Sequence, residues 1–171
     1  KENHSVSHAI LITYNNILML MGYGVFQYQY LKTHPKKGIH IDYFSSSLVN
    51  YPNNVKPKYL GNFEKDLTYY RVRGIGRATI ALASSYAIDL NSDFSDDDIA
   101  ISLYARTDEK LINELYIKKY NFELYEGQRG KDHEMFLNFK KSKKFLKDYE
   151  KEYKKIERPE GNGLTYKRPS R

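Results

Sequence analysis

Alternation of apolar and polar residues predicts a strand-rich first part of the chain. Apolar runs of strand length cover residues 8–14, 17–21, 25–30 and 39–44. Asn15-Asn16 supplies turn chemistry between the first two runs, which predicts a hairpin. Gly22 and Gly24 interrupt the apolar pattern and predict a bulge before the second strand continues, whereas residues 1–6 are polar and are expected to fray.

Helical spacing begins after residue 74. Apolar positions predict an Ala-rich amphipathic helix over Ile75–Leu90 and a second helix from Thr107, a candidate N-cap, to Tyr120. Alternation predicts further strands at residues 99–105, 122–126 and 134–139. This order of strands and helices belongs to the α/β class.

Length and composition limit the classes of protein. A chain of 171 residues is most simply one domain, and no apolar run approaches the roughly 20 residues that span a bilayer. The absence of Cys is compatible with the reducing cytoplasm, where we expect the protein, and the five histidines show no metal-ligand spacing. We therefore expect no membrane contact and no metal.

The net charge of +7 lies in the last part of the chain. Residues 140–171 hold 12 of the 28 basic and 5 of the 21 acidic residues, which leaves residues 1–139 neutral. Lys140–Arg158 is predicted to be an amphipathic helix, followed by a basic end. This tail is either a solvated helix docked on the domain or a surface for an acidic partner, such as a nucleic acid or an acidic protein.

The segment from Tyr70 to Leu90 carries the clearest chemistry. Arginines and glycines alternate at its start and lead directly into the predicted helix: Arg71, Arg73, Gly74, Gly76 and Arg77. A glycine turn at a helix N-terminus presents unpaired N–H groups and a positive dipole end, and arginines add donors that suit phosphate oxygens. The third glycine of the dinucleotide fingerprint and the Gly-Lys-Ser/Thr ending of the P-loop are both missing.

The spacing Arg71-x-x-Gly74-x-Gly76 resembles the pyrophosphate loop of the GNAT superfamily, the acyl-coenzyme A-dependent N-acetyltransferases. The resemblance implies a GNAT-like mixed, mostly antiparallel central sheet flanked by helices, with acetyl-coenzyme A (acetyl-CoA) as co-substrate and an amine as acceptor. It assigns pyrophosphate binding to the loop and its backbone amides, at Arg71, Val72, Arg73, Gly74, Ile75, Gly76, Arg77 and Ala78.

A second local match lies on the predicted helix 107–120. Leu115-Tyr116-Ile117-Lys118-Lys119-Tyr120-Asn121-Phe122 resembles the family pattern Leu-Tyr-x-Lys-x-Gly-Phe, with Asn121 expected to take the left-handed conformation usual for Gly. The interval from Tyr116 to Phe122 is one residue longer than in the pattern. In the family this tyrosine protonates the departing thiolate, so the resemblance makes Tyr116 the first candidate acid and Tyr120 the second.

The general base is left open between His40, Asp42, Glu64 and a relayed water. His40 and Asp42 are two residues apart, so they are expected to share one face of a strand. The family's fourth strand, which pairs with pantetheine, corresponds either to Ile39–Phe44 or to Tyr59–Asp66. Its usual first strand and first two helices have no counterpart before the hairpin.

Two functions of different class follow. The first is an N-acetyltransferase domain over residues 1–139, acting by direct attack of an amine on acetyl-CoA, with residues 140–171 as a basic helical extension. The second is a non-catalytic GNAT-like module that binds an acidic partner through this tail. The sequence leaves the oligomeric state open, with a dimer as one option.

Overall fold

The computed structural model describes residues 4–14, 17–32, 34–46, 74–106, 109–125 and 132–152. Six strands follow the chain: β1 (His4–Tyr14), β2 (Ile17–Tyr30), β3 (Lys37–Ser46), β4 (Ile99–Arg106), β5 (Glu123–Leu124) and β6 (Asp132–Asn138). Helix α1 is Ile75–Leu90 and helix α3 is Phe139–Glu152, while α2 begins as an α-helical turn at Glu109–Leu111 and continues as a π-helix at Ile112–Lys119.

The six strands form one sheet in the order β1-β2-β3-β4-β6-β5. Adjacent strands are antiparallel except for β3 and β4, which run parallel with α1 in the connection between them. The prediction of a mixed, mostly antiparallel sheet flanked by helices is therefore confirmed at this level. None of the described helices is long and apolar enough to cross a membrane.

The described elements confirm most of the predicted ones and correct their ends. Strand β1 begins at His4, so residues 4–6, which were expected to fray, pair with β2 instead. Phe139 was expected to end a strand but begins α3, because Asn138 Oδ1 accepts a hydrogen bond from the Lys141 N–H and caps the helix. The alternative fourth strand, Tyr59–Asp66, lies outside the described residues.

The three helices pack on one face of the sheet. The core combines aliphatic side chains of β3, β4 and β6 with side chains from each helix: Ile39, Ile41, Ile101, Leu103, Met135 and Leu137 against Ile80, Ala83, Ile112 and Phe139. Helix α1 fits tightly against this layer because Ala81, Ala83 and Ala87 are fully buried. By alternation along the strands, His40, Ser102 and Glu134 project from the opposite face.

Two bulges interrupt the first three strands. Between β1 and β2 the register shifts at Ile10/Leu11, opposite Met21, which confirms the bulge predicted beside Gly22. Between β2 and β3 the register shifts at Val25/Phe26, where Tyr43 pairs with Val25 and Ile41 with Phe26. Asp42 is thus the additional residue of β3, without a partner in this ladder.

His8 on β1 is packed without polar partners. Its ring lies 4.2 Å from the Phe26 ring, and neither ring nitrogen has a hydrogen-bond partner. Gly24 leaves room for it, since a Cβ at that position would lie 2.3 Å from His8 Cε1. Burial lowers the pKa of His8 to about 4.

This histidine predicts a loss of stability in mild acid. His8 takes up a proton near pH 6.5 in the unfolded chain but only near pH 4 in the folded one. The stability that the neutral ring contributes is therefore complete above pH 6.5 and is lost as the pH falls from 6.5 to 4. We expect a decrease of the order of 2 kcal/mol across this window for the half-buried ring. Denaturant unfolding of the wild type and of His8→Phe at several pH values measures it. Equal pH slopes in the two proteins would exclude His8 as the source.

Candidate functional site

The parallel strands β3 and β4 pair over a short distance and then separate. Their partners are Ile39 with Ile101, His40 with Ser102 and Ile41 with Leu103. Beyond these pairs β3 continues to Ser46 and β4 to Arg106, so backbone groups on the facing edges have no partner in the β3–β4 ladder. A cleft of about 880 Å³ lies at this opening.

The cleft has walls on both faces of the sheet. On the helix side it is lined by Gly76 and Thr79 of α1 and by Leu115, Tyr116 and Tyr120 of α2 and its C-terminal end. On the opposite side it is lined by His40, Asp42, Ser102, Tyr104 and Glu134. The residues that border this cavity therefore come from both sides of the sheet, close to the point where the pairing of β3 and β4 ends.

The N-terminus of α1 borders the cleft, and its first N–H groups have no acceptor within the helix. Gly74 precedes the helix with φ 94°, a left-handed conformation that suits glycine, and it has no side chain of its own that could cap the helix. The first helical bond runs from the Ala78 N–H to the Gly74 carbonyl, so the N–H groups of Ile75, Gly76 and Arg77 have no helical acceptor. The N–H of Ala78, which was expected among the amide donors, is bonded inside the helix.

Gly76 sets the space beside these donors. A Cβ built on it would meet Phe44 at 3.6 Å and the Tyr120 hydroxyl at 3.9 Å, which are ordinary contacts. A methyl group therefore fits, whereas a longer side chain would extend toward the cleft. The first turn of α1 contains no acidic residue, so its positive dipole end is not neutralised locally.

Arg77, an expected phosphate ligand, forms an ion pair with Glu152 at the end of α3. Its guanidinium also lies 5.8 Å from the centre of the Tyr149 ring. The other expected arginines, Arg71 and Arg73, lie with Val72 outside the described residues. Among the described residues of the loop, Arg77 thus supplies the positive side chain, and its charge is paired with the carboxylate of Glu152.

Helix α2 is π-helical before and within the interval from Tyr116 to Phe122, which is one residue longer than in the pattern that it resembles. Residues 112–119 are π-helical, and the Tyr120 N–H reaches the Leu115 carbonyl five residues back at 3.0 Å. A π-turn contains one residue more than an α-turn, so it absorbs an insertion without reversing the direction of the chain. Asn121 ends the helix with φ 60°, which confirms the expected left-handed conformation.

Both candidate tyrosines border the cleft. Tyr120 is buried, with its hydroxyl near Gly76, and the Tyr116 ring packs edge-on against Tyr120 and Phe122. Burial raises the pKa of the Tyr116 hydroxyl, so it remains protonated at neutral pH and can donate a proton.

His40 lies on the opposite side of the sheet, beside the parallel pairing. Its Nδ1 is 2.8 Å from Ser102 Oγ, and in the tautomer whose Nδ1–H donates to the hydroxyl, Nε2 keeps the lone pair. Burial lowers the pKa of His40, although the nearby Asp42 and Glu134 carboxylates oppose the shift. The imidazole is therefore neutral at pH 7 and able to accept a proton.

Asp42 shares the face of His40, as predicted. Gln27 pairs with His40 in the backbone ladder, and its Nε2 donates to Asp42 Oδ2 at 3.2 Å. Glu64, the remaining candidate base, lies outside the described residues. Of the five candidate catalytic residues, the cleft thus brings together four: Tyr116, Tyr120, His40 and Asp42.

Two further polar residues at the cleft were not identified from the sequence. Ser102 orients His40, and Glu134 of β6 pairs with Lys32 at 3.0 Å. A serine or glutamate in an alternating strand is an ordinary solvent-facing pattern, so no local signal marks either. Their proximity to His40 follows from the strand order.

Within the described ranges, no group of three His, Cys, Asp or Glu side chains could hold a metal ion. Comparisons of the chain with protein-family models, with curated proteins and with solved structures gave no significant match. The functional assignment therefore depends on the cleft and its chemistry.

Proposed function

We propose that this protein is a GNAT-like N-acetyltransferase that transfers the acetyl group of acetyl-CoA to an amine by direct attack. The observation that carries the proposal is the cleft itself. A helix N-terminus, the separated edges of two parallel strands, a neutral histidine and two tyrosines all border it. Each matches one requirement of binding and acetyl transfer.

The pyrophosphate of the cofactor binds at the N-terminus of α1. The N–H groups of Ile75, Gly76 and Arg77 and the helix dipole favour an anion, and the preceding basic loop adds charge. Ile75 contributes its backbone alone, since its side chain is buried.

The pantetheine arm lies along the edge of β3. Pantetheine contains two amides, so it can pair with a strand edge as an added peptide strand does. The edge of β3 beyond Ile41 has no β4 partner, so its backbone groups on that side are available at the cleft. Backbone N–H groups on this edge also suit the oxygen of the thioester, where negative charge develops during the reaction.

Acetyl transfer then follows from the side chains at the opening. The amine nitrogen attacks the thioester carbon, and His40 Nε2 accepts the proton that the nitrogen loses. The carbon–sulfur bond breaks, and the Tyr116 hydroxyl gives its proton to the departing thiolate. No covalent enzyme intermediate is required, which agrees with a chain that has no Cys.

The direct experiment is an acetyl-transfer assay with a panel of primary amines, following release of the free thiol of coenzyme A. We expect amine-dependent release by the wild type and its loss in His40→Gln. Thiol release that does not depend on any amine would contradict a transferase. It would leave the alternative, a binding module with a basic tail, as the better account.

In the ion pair, the Glu152 carboxylate competes with a cofactor phosphate for Arg77. Glu152→Gln removes this competing carboxylate, so acetyl-CoA should bind about threefold to fivefold tighter at low salt. This gain in affinity should shrink as salt is added, because the Arg77–Glu152 pair lies at the surface, where salt screens charges. Titration calorimetry measures both, with Glu150→Gln, an exposed glutamate of the same helix, as control. Weaker binding by Glu152→Gln would mean that Glu152 positions Arg77 for the phosphate.

A further inference from the structure

Two carboxylates lie near His40 on the face opposite the helices. Asp42 belongs to β3 and Glu134 to β6, and β4 lies between these two strands. Both line the cleft, and both act electrostatically on His40. A positively charged ligand is therefore favoured on this side, and an anionic one is repelled.

The chain already places an alkylammonium group there. Lys32 Nζ lies 3.0 Å from Glu134 Oε2 and 6.0 Å from the centre of the Tyr125 ring. A carboxylate beside an aromatic ring is a typical environment for an ammonium ion. The Lys32 side chain is 55% exposed, so a ligand cation can replace it at little cost.

Aromatic side chains line the same cleft as the two carboxylates. Tyr43 of β3 and Tyr104 of β4 line the cleft, and both rings are substantially exposed. Methylene groups pack well on such rings, and the bulge at Asp42 places its neighbour Tyr43 beside the opening. The surface suits a short aliphatic chain with a cationic end.

We infer that the acceptor is a short aliphatic diamine. One amine, neutral when it reacts, lies at His40, and the second, protonated, binds Glu134 in place of Lys32. This inference depends on the proposed acetyl transfer and names the class of its acceptor. It makes Glu134 a specificity-determining residue, distinct from the groups that transfer protons.

The test compares butylamine with diaminobutane, which have the same carbon chain and differ by the second amine. We expect the wild type to prefer diaminobutane by about tenfold in kcat/KM, because one charge-assisted hydrogen bond to Glu134 supplies a difference of this size. Glu134→Gln should remove the preference. Lys32→Gln should increase it severalfold, because the internal competitor is gone. Glu123→Gln, an exposed glutamate of β5 that does not line the cleft, controls for the change in charge.

The opposite directions of the two variants separate recognition from folding, since a loss of structure would lower both. Equal kcat/KM for the two amines, or a preference that survives Glu134→Gln, would overturn the diamine inference while leaving acetyl transfer intact. Failure of the proposed function is detected separately, as absence of acetyl-CoA binding. Calorimetric binding of diaminobutane to the protein alone, lost in Glu134→Gln, would still support the cation site.

Discussion

Replacing Gly76 by Leu should abolish acetyl-CoA binding, whereas Gly76→Ala should retain it. The glycine lies in the first turn of α1, where a Cβ makes ordinary contacts but a longer side chain would extend toward Phe44 and the Tyr120 hydroxyl. Leucine would therefore occupy the space in which the phosphate meets the helix N–H groups. Loss of two charge-assisted hydrogen bonds costs about 3–6 kcal/mol, or about two to four orders of magnitude in affinity.

The pair of variants separates the site from the fold. Ala and Leu both favour a helix more than Gly does, so neither should weaken α1. Gly74 is a less informative position because its φ of 94° makes any substitution strained. Thermal unfolding of both variants is the control. Tight binding by a folded Gly76→Leu protein would show that the cofactor does not use this helix end.

Tyr116→Phe should lower kcat by about a hundredfold or more and leave the affinity for acetyl-CoA unchanged. The hydroxyl borders the cleft, and burial raises its pKa, so it is present as a proton donor at neutral pH. General acid catalysis commonly contributes about 10²- to 10⁴-fold. Removing one oxygen from a ring that packs edge-on against Phe122 should disturb the packing little.

Two matched variants complete this experiment. Tyr120→Phe should have a smaller effect, because its hydroxyl lies beside Gly76 at the phosphate end. Tyr86→Phe alters a tyrosine of α1 that packs against Phe26 and does not line the cleft, and it should have none. A larger loss for Tyr120→Phe than for Tyr116→Phe would transfer the role of the acid to Tyr120.

Local patterns predicted much of the fold. Helix α1 was expected at Ile75–Leu90 and is found there, because an Ala-rich helical period after a glycine turn is determined by neighbouring residues. The hairpin and its bulge were also anticipated, since turn and glycine chemistry act over a few positions. Strand ends were less accurate, because the partners with which strands pair come from distant segments.

The π-helical form of α2 could not be predicted in this way. The interval from Tyr116 to Phe122 is one residue longer than in the pattern that it resembles, but apolar spacing did not indicate a π-helix. The answer depends on which carbonyl the Tyr120 N–H reaches, and apolar spacing does not encode that choice. In the structure, Tyr116 and Tyr120 both line one cleft.

The missed contacts of the site join distant parts of the chain. His40 and Ser102 are 62 residues apart, and Arg77 and Glu152 are 75 apart. Glu134 approaches His40 because β6 pairs with β4 rather than following the chain order to an edge. The sequence alone drew attention to the residues at the N-terminus of α1, whereas the charge around His40 required the order of the strands.

Binding of acetyl-CoA to the full chain tests the central claim most directly. Calorimetric titration of the wild type should show one site with affinity in the micromolar range, weakened by added salt, as expected for a pyrophosphate at a basic helix end. The Gly76→Leu protein supplies the baseline for the same titration. Absence of binding by the folded wild type at millimolar acetyl-CoA would contradict the account.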